Sequence, residues 1–248
     1  MKNPALIVCN WKMHKTAQEA ASFVSELVSH AEQMRDKLLL AVPFTALSAT
    51  SLAAQGSPMR IGAQNMHEAE EGAYTGEISA RMLLEVGASF VIVGHSERRR
   101  LFGETDERIR AKVKRALDTG LTPILCIGET EEDLREGRVD SVLVHQLEAS
   151  LGDLDLHELE RVYIAYEPVW AIGTGLSATP EIAQSSHAIC RAYLKERNAS
   201  FIPLLYGGSV KGETMGALMS QPDINGVLVG NAGLQITSLL QIINWRSS

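Results

Sequence analysis

Three cysteines in 248 residues, none of them in a CxxC pair, are too few and too scattered for a disulfide framework or a thiolate metal site. Cys9, Cys126 and Cys190 lie in mostly apolar stretches, so a reducing, cytoplasmic setting is expected. Long apolar runs are missing too. Nothing approaches the ~20 residues that cross a bilayer, and Lys2 to Trp11 holds only five consecutive apolar residues before Asn10. Neither a signal peptide nor a membrane partner is expected. Positive charge is in deficit, 23 Lys and Arg against 30 Asp and Glu for a net charge of -7. A chain that grips a nucleic-acid backbone needs the reverse, and nucleic acid is set aside as a partner. The seven histidines form no HExxH or similar spacing, so no metal site is expected.

What is present is a balanced globular composition, 45% apolar and 21% charged, which excludes disorder. Short β-branched or aliphatic runs alternate with longer amphipathic stretches to the end of the chain. Strands are expected at Ala5–Asn10, Lys37–Val42, Arg60–Gln64, Phe90–Gly94, Thr122–Ile127, Val162–Tyr166, Ile202–Tyr206 and Gly226–Val229. Helices are expected near 16–30, 45–54, 78–86, 105–119, 139–150, 180–197, 212–220 and 233–245. Eight βα units of about 31 residues each, with no linker or low-complexity tract between them, imply one α/β domain over residues 1–248. Two architectures fit, a closed (β/α)8 barrel and an open doubly wound sheet. Chemistry-bearing residues separate them. Asn10 and Lys12 follow the first strand, His95 the fourth, Glu167 the sixth, Gly207-Gly208-Ser209 the seventh and Gly230 the eighth. These ends converge only if the sheet closes, and a single parallel (β/α)8 barrel is expected.

Each candidate also has a plain structural explanation. Lys12 alone reads as an exposed loop lysine. His95 opens a short helical stretch at Ser96-Glu97-Arg98, where the positive end of the helix dipole favours a neutral imidazole, but a core histidine fits as well. Glu97 reads as part of an ion-paired surface. Glu167 precedes Pro168 and a glycine-bearing segment, Gly173-Thr174-Gly175, that suits a movable cover. A plain surface loop explains those glycines almost as well. The same segment matches GxGxxA, but no strand runs directly into its first glycine, so a dinucleotide site is rejected. The turns at Gly207-Gly208-Ser209 and Gly230-Asn231 suit a phosphate held by main-chain N–H groups.

Taken in order, Asn10-Trp11-Lys12-Met13, Ala63-Gln64-Asn65, Gly72-Ala73-Tyr74-Thr75-Gly76-Glu77, Val93-Gly94-His95-Ser96-Glu97-Arg98-Arg99, Cys126-Ile127-Gly128-Glu129, Tyr166-Glu167-Pro168-Val169-Trp170-Ala171-Ile172-Gly173-Thr174-Gly175 and Tyr206-Gly207-Gly208-Ser209-Val210 resemble the triosephosphate isomerase family, from about Ala5 to Leu234. The resemblance implies a glycolytic and gluconeogenic aldose–ketose isomerase acting on a triose phosphate without a cofactor. It implies Glu167 as the base, His95 as the neutral electrophile, Lys12 as support for phosphate and developing charge, and Asn10 as an orienting group. Gly173, Ser209, Gly230 and Asn231 would offer N–H groups to the phosphate. Ile172 and Leu228 would press apolar surface on Glu167, Glu97 would support the site, and Thr75 would enter a partner's site in a homodimer. Leu176 stands where the family commonly has lysine, His14 where asparagine is frequent, and Asn231-Ala232-Gly233 where Gly-Ala-Ser is usual. A lysine-dependent barrel aldolase and a catalytically silent barrel are the competing readings.

Overall fold

In the computed structural model, which describes residues 4–30, 37–171 and 178–247, eight parallel strands pair in chain order and the first closes on the last. They are β1 (Leu6–Asn10), β2 (Lys37–Val42), β3 (Arg60–Ala63), β4 (Phe90–Val93), β5 (Thr122–Ile127), β6 (Tyr163–Tyr166), β7 (Leu204–Tyr206) and β8 (Gly226–Val229). The closed barrel is therefore observed, and the open sheet is excluded. Between the strands run α1 (Ala17–Val28), α2 (Leu47–Ala53), α3 (Ala80–Glu85), α4 (Ser96–Phe102), α5 (Asp106–Thr119), α6 (Glu131–Arg135), α7 (Val139–Leu151), α8 (Leu156–Leu159), α9 (Pro180–Glu196), α10 (Gly212–Ser220) and α11 (Ile236–Ile243). The helix expected over 233–245 is shorter than its apolar pattern suggests: Asn231–Leu234 forms a 3-10 turn, and α11 starts only at Ile236.

The unbroken apolar strands follow from burial on both faces. Successive side chains point to opposite sides of a strand. In β1, Leu6 and Val8 face the barrel interior, while Ile7 and Cys9 face the helices. The same alternation puts Leu39, Ala41, Phe90, Ile92, Ile124, Cys126, Ala165, Leu205 and Leu228 inside. The residues between them meet α1, α5, α7 and α9, which present Val24 and Leu27, Val113 and Leu117, Leu143 and Leu147, and Cys190 and Leu194. Caps set where several helices begin. Thr16 and Glu19 form a reciprocal capping box before α1, and Thr179 caps α9 ahead of Pro180 at its first position. Cys9, Cys126 and Cys190 are all free and buried, and among the described residues no helix is long and apolar enough to cross a membrane.

Candidate active site

The inward alternation continues past the strand ends and builds the site. Two residues beyond Val8 and Ala165 come Asn10 and Glu167. Two beyond Cys126, Leu205 and Leu228 come Gly128, Gly207 and Gly230. The rim thus carries an amide and a carboxylate separated by glycines, which leave space where side chains would fill it. A cavity of ≈ 780 Å³ opens there, lined by Asn10, Lys12, His95, Glu167, Ser209, Leu228, Gly230 and Asn231. Eight residues singled out from the sequence are thereby brought together.

Glu167 is held on all sides. Its N–H donates to the Ile127 carbonyl at 2.8 Å, and Gly207 N–H donates to the Tyr166 carbonyl at 2.7 Å. A Cβ at Gly128 would lie 1.8 Å from the Glu167 carbonyl oxygen, and one at Gly207 would lie 2.9 Å from Glu167 Cγ. Only glycine allows β5 and β7 to approach this closely. The carboxylate is 2% exposed. Its Oε2 accepts the Ser96 N–H at 3.0 Å, and its Oε1 lies 3.0 Å from His95 Nε2.

His95 caps α4, and its Nδ1 accepts the Glu97 N–H at 3.2 Å. With Nδ1 used as an acceptor, the ring proton sits on Nε2, facing Glu167 and the cavity. Lys12 has φ +51°; its N–H donates to Asn10 Oδ1 at 3.0 Å, and its carbonyl accepts Gln64 Nε2 at 2.8 Å. The side chain runs past Gly230 and ends on Glu97 Oε1, 2.6 Å from Nζ.

Burial alone would raise the Glu167 pKa, but His95, the Ser96 N–H and the Lys12 charge together hold it below the ordinary carboxylate value. For His95, burial disfavours the cation, while the Glu167 charge and hydrogen bond favour it and raise the pKa above its ordinary value. Burial, reinforced by the Glu167 charge, pushes the Cys126 thiol well above its usual value, so no reactive thiolate sits beneath the site. Glu129, after β5, accepts the Tyr166 hydroxyl at 2.9 Å and the Trp170 indole N–H at 2.7 Å, and its pKa is raised by burial.

Glu97 belongs to a second, smaller cavity of ≈ 200 Å³, shared with Asn10, Lys12, Met13, Gln64 and His95. Thr75 is exposed and reaches neither cavity of its own chain. Ile172, Gly173 and Leu176 lie outside the described residues. Sequence reasoning missed the Ser96 N–H and the close approaches of Gly128 and Gly207, which depend on strand register. Among the described residues no group of three or more His, Cys, Asp or Glu is placed to hold a metal ion.

Comparison with known proteins matches residues 5–246 to the family described as Triosephosphate isomerase. Proteins of that name from Symbiobacterium thermophilum and Protochlamydia amoebophila are 47% and 45% identical over 247 and 245 residues. The alignments cover 98% and 97% of this chain and 96% and 93% of those proteins. A crystal structure of triosephosphate isomerase from Bartonella henselae superposes with a TM-score of 0.89 at 37% identity, covering 98% of this chain and 99% of that one.

Proposed function

Because the chain belongs to the triosephosphate isomerase family, whose members interconvert dihydroxyacetone phosphate and D-glyceraldehyde 3-phosphate, we propose that it does so with Glu167 as the base, His95 as the electrophile and Lys12 and Asn10 as supporting groups. The observation that carries this assignment is the contact of Glu167 with His95 at 3.0 Å on a rim shared with Lys12. Abstracting a proton next to a carbonyl needs one base, one hydrogen-bond donor for the oxygen and shelter from water. The carboxylate takes a proton from one substrate carbon, the electrons move into an enediolate, the same group returns a proton to the neighbouring carbon, and the hydroxyl proton passes from one substrate oxygen to the other. His95 Nε2–H faces the developing oxyanion, with the Lys12 ammonium beside it.

Glu167 must leave Ser96 and His95 to reach a substrate carbon. Doing so removes two influences that lower its pKa and retains the burial that raises it, so the carboxylate becomes a stronger base where it acts. His95 loses the nearer of its two anionic neighbours in the same movement, Glu97 remaining 3.7 Å from Nδ1. Burial, Lys12 and the Glu97 N–H then favour the neutral ring against the Glu97 charge. Ser209, Gly230 and Asn231 offer main-chain N–H groups to the phosphate, and Leu228 lines the same cavity with apolar surface. Lys12 is engaged by Glu97 instead of standing as a free amine, which disfavours the Schiff-base aldolase. Replacing Glu167 by Gln should lower kcat at least about a thousandfold in a coupled isomerase assay; near-parent turnover would remove Glu167 from the mechanism.

We also propose one catalytic domain over residues 1–248, acting in the cytoplasm as a homodimer in glycolysis and gluconeogenesis. The exposed apolar side chains Met13, Phe44 and Phe102 around the smaller cavity support a second copy there, with its Thr75 loop inserted near Asn10 and His95. Analytical ultracentrifugation should return twice the chain mass; a monomer at micromolar concentration would refute it.

A further inference from the structure

Gln146, half-buried on α7, does not line the catalytic cavity, yet its side chain grips a peptide at the cavity's edge. Its Oε1 accepts the Gly128 N–H at 2.8 Å, and its Nε2 donates to the Gly128 carbonyl at 3.3 Å. Both polar groups of one residue are thus held from behind by one amide. A carboxamide accepts from the N–H and donates to the C=O through two separate atoms held in one plane. Gly128 is the residue against which the Glu167 backbone rests, so closely that a Cβ would fall 1.8 Å from the Glu167 carbonyl oxygen and 2.8 Å from its carbonyl carbon. The residue before Gly128 accepts the Glu167 N–H at 2.8 Å, and the residue after it, Glu129, holds the Tyr166 hydroxyl and the Trp170 indole.

We propose that Gln146 is a positioning residue for the isomerisation, its two-point grip on Gly128 fixing the height at which Glu167 stands on the rim. The inference rests on Glu167 being the base. A glycine beyond the end of a strand has wide backbone freedom, and this one lies against the peptide that carries the reacting carboxylate. Helix α7 contributes Leu143, Leu147 and Leu151 to the core, so the amide projects from an anchored support. A displacement of the base by ~1 Å is enough to cost about a hundredfold in rate.

The test measures kcat, KM and the inhibition constant of inorganic phosphate for Gln146→Ala, Gln146→Leu, Glu167→Asp and the Gln146→Leu/Glu167→Asp double variant. Gln146→Leu keeps most of the side-chain volume and guards against loss of packing. The expected result is a kcat lower by about 10- to 100-fold in both Gln146 variants, with KM and phosphate inhibition within about twofold of the parent and circular dichroism unchanged. Glu167→Asp already withdraws the carboxylate by one methylene, so the double variant should lose much less than the product of the single losses. A kcat within about threefold of the parent, a proportional rise in KM, or fully multiplicative losses would overturn the proposal. Glu167→Gln in the same assay separates the two claims. Parent-like turnover there defeats the base assignment itself, whereas its loss alongside an unaffected Gln146→Leu defeats only the clamp.

Discussion

Gly128→Ala is the sharpest probe of how the base is held. The added Cβ would lie 1.8 Å from the Glu167 carbonyl oxygen, and Cβ atoms do not approach a neighbour closer than 3.0 Å. The end of β5 and the end of β6 must therefore separate by about 1.2 Å, against a native hydrogen bond of 2.8 Å from Glu167 N–H to Ile127 O that resists the movement. A shift of that size breaks the contact at 3.0 Å between Glu167 Oε1 and His95 Nε2 and takes the carboxylate out of line with a substrate carbon. The expected loss in kcat is about a hundredfold, or ~2.7 kcal/mol of transition-state stabilisation. The proposed phosphate cradle lies across β6 from Gly128, after β7 and β8 at Ser209 and Gly230, so KM should stay within about threefold. Steady-state kinetics in both reaction directions give the two constants, and a thermal melt checks that the variant is folded at the assay temperature. Turnover within about threefold of the parent would mean that the packing of Gly128 on Glu167 does not position the base.

Stability should depend on pH through His187, whose complete burial lowers its pKa from 6.5 to about 4. The unfolded chain binds a proton there that the folded chain refuses, so this contribution is intact above pH 6.5 and is lost as the pH falls toward 4. Urea unfolding at pH 7 and pH 5 should show His187→Gln losing about 2 kcal/mol less than the parent between the two; equal losses would exclude His187 as a source. Asn225 Oδ1 accepts the Leu204 N–H at 3.0 Å and an Arg191 N–H at 2.8 Å, and both bonds strengthen with a carboxylate. Asn225→Asp should therefore raise Tm by about 2–4 °C for a gain of about 1 kcal/mol in calorimetry, an unchanged or lower Tm counting against it. Asn231→Gly should change KM by no more than about tenfold, or ~1.4 kcal/mol, because the main-chain N–H is common to both residues; a larger gain in affinity would show the native cradle to be impaired.

The barrel was legible because burial on both faces makes its strands nearly pure runs of Val, Ile, Leu and Ala. The limits expected for β2, β5 and β8 coincide with the observed ones. The short α6 and α8 escaped notice because they have too few turns to show a period. Their signal was local: Thr130 with Asp133 and Asp155 with Glu158 form capping boxes in which each partner satisfies the other's backbone N–H. Asn10, His95 and Glu167 are visible as polar residues at or just beyond the ends of apolar strands, and the family resemblance is what sets aside their plain structural explanations. What surrounds them was hidden. Nothing in the sequence links Glu104, Lys112 and Asn65, yet Lys112 is 1% exposed and lies between the other two, 2.5 Å from Glu104 and 2.9 Å from Asn65. Burial opposes the lysine charge and lowers its pKa, and the glutamate beside it offsets that penalty only in part. Linear sequence carries no record of that distance, nor of the grip of Gln146 on a glycine 18 residues away.

The contact between Glu167 and His95, the proposed base and electrophile, bears on how substrate would engage them. With Glu167 on His95 and on Ser96, both reactive groups are occupied by each other, and a buried carboxylate that would otherwise attract a proton from water is held ionised. Substrate has to displace this pairing, and what it offers in exchange is a carbonyl oxygen for His95 Nε2–H and an acidic C–H for Glu167. A ligand with the phosphate but without the carbonyl can fill the proposed cradle at Ser209 and Gly230, yet offers His95 only a neutral hydroxyl, a weaker acceptor than the carboxylate it would replace. Glycerol 3-phosphate should accordingly bind without freeing Glu167 from Ser96, while a phosphate ester with an oxyanion in the carbonyl position should free it and bind more tightly. The distance from Ser96 N to Glu167 Oε2, 3.0 Å in this structure, is the quantity that distinguishes the two complexes in crystals. If both ligands leave it unchanged, the release of the base is not driven by the electrophile's change of partner.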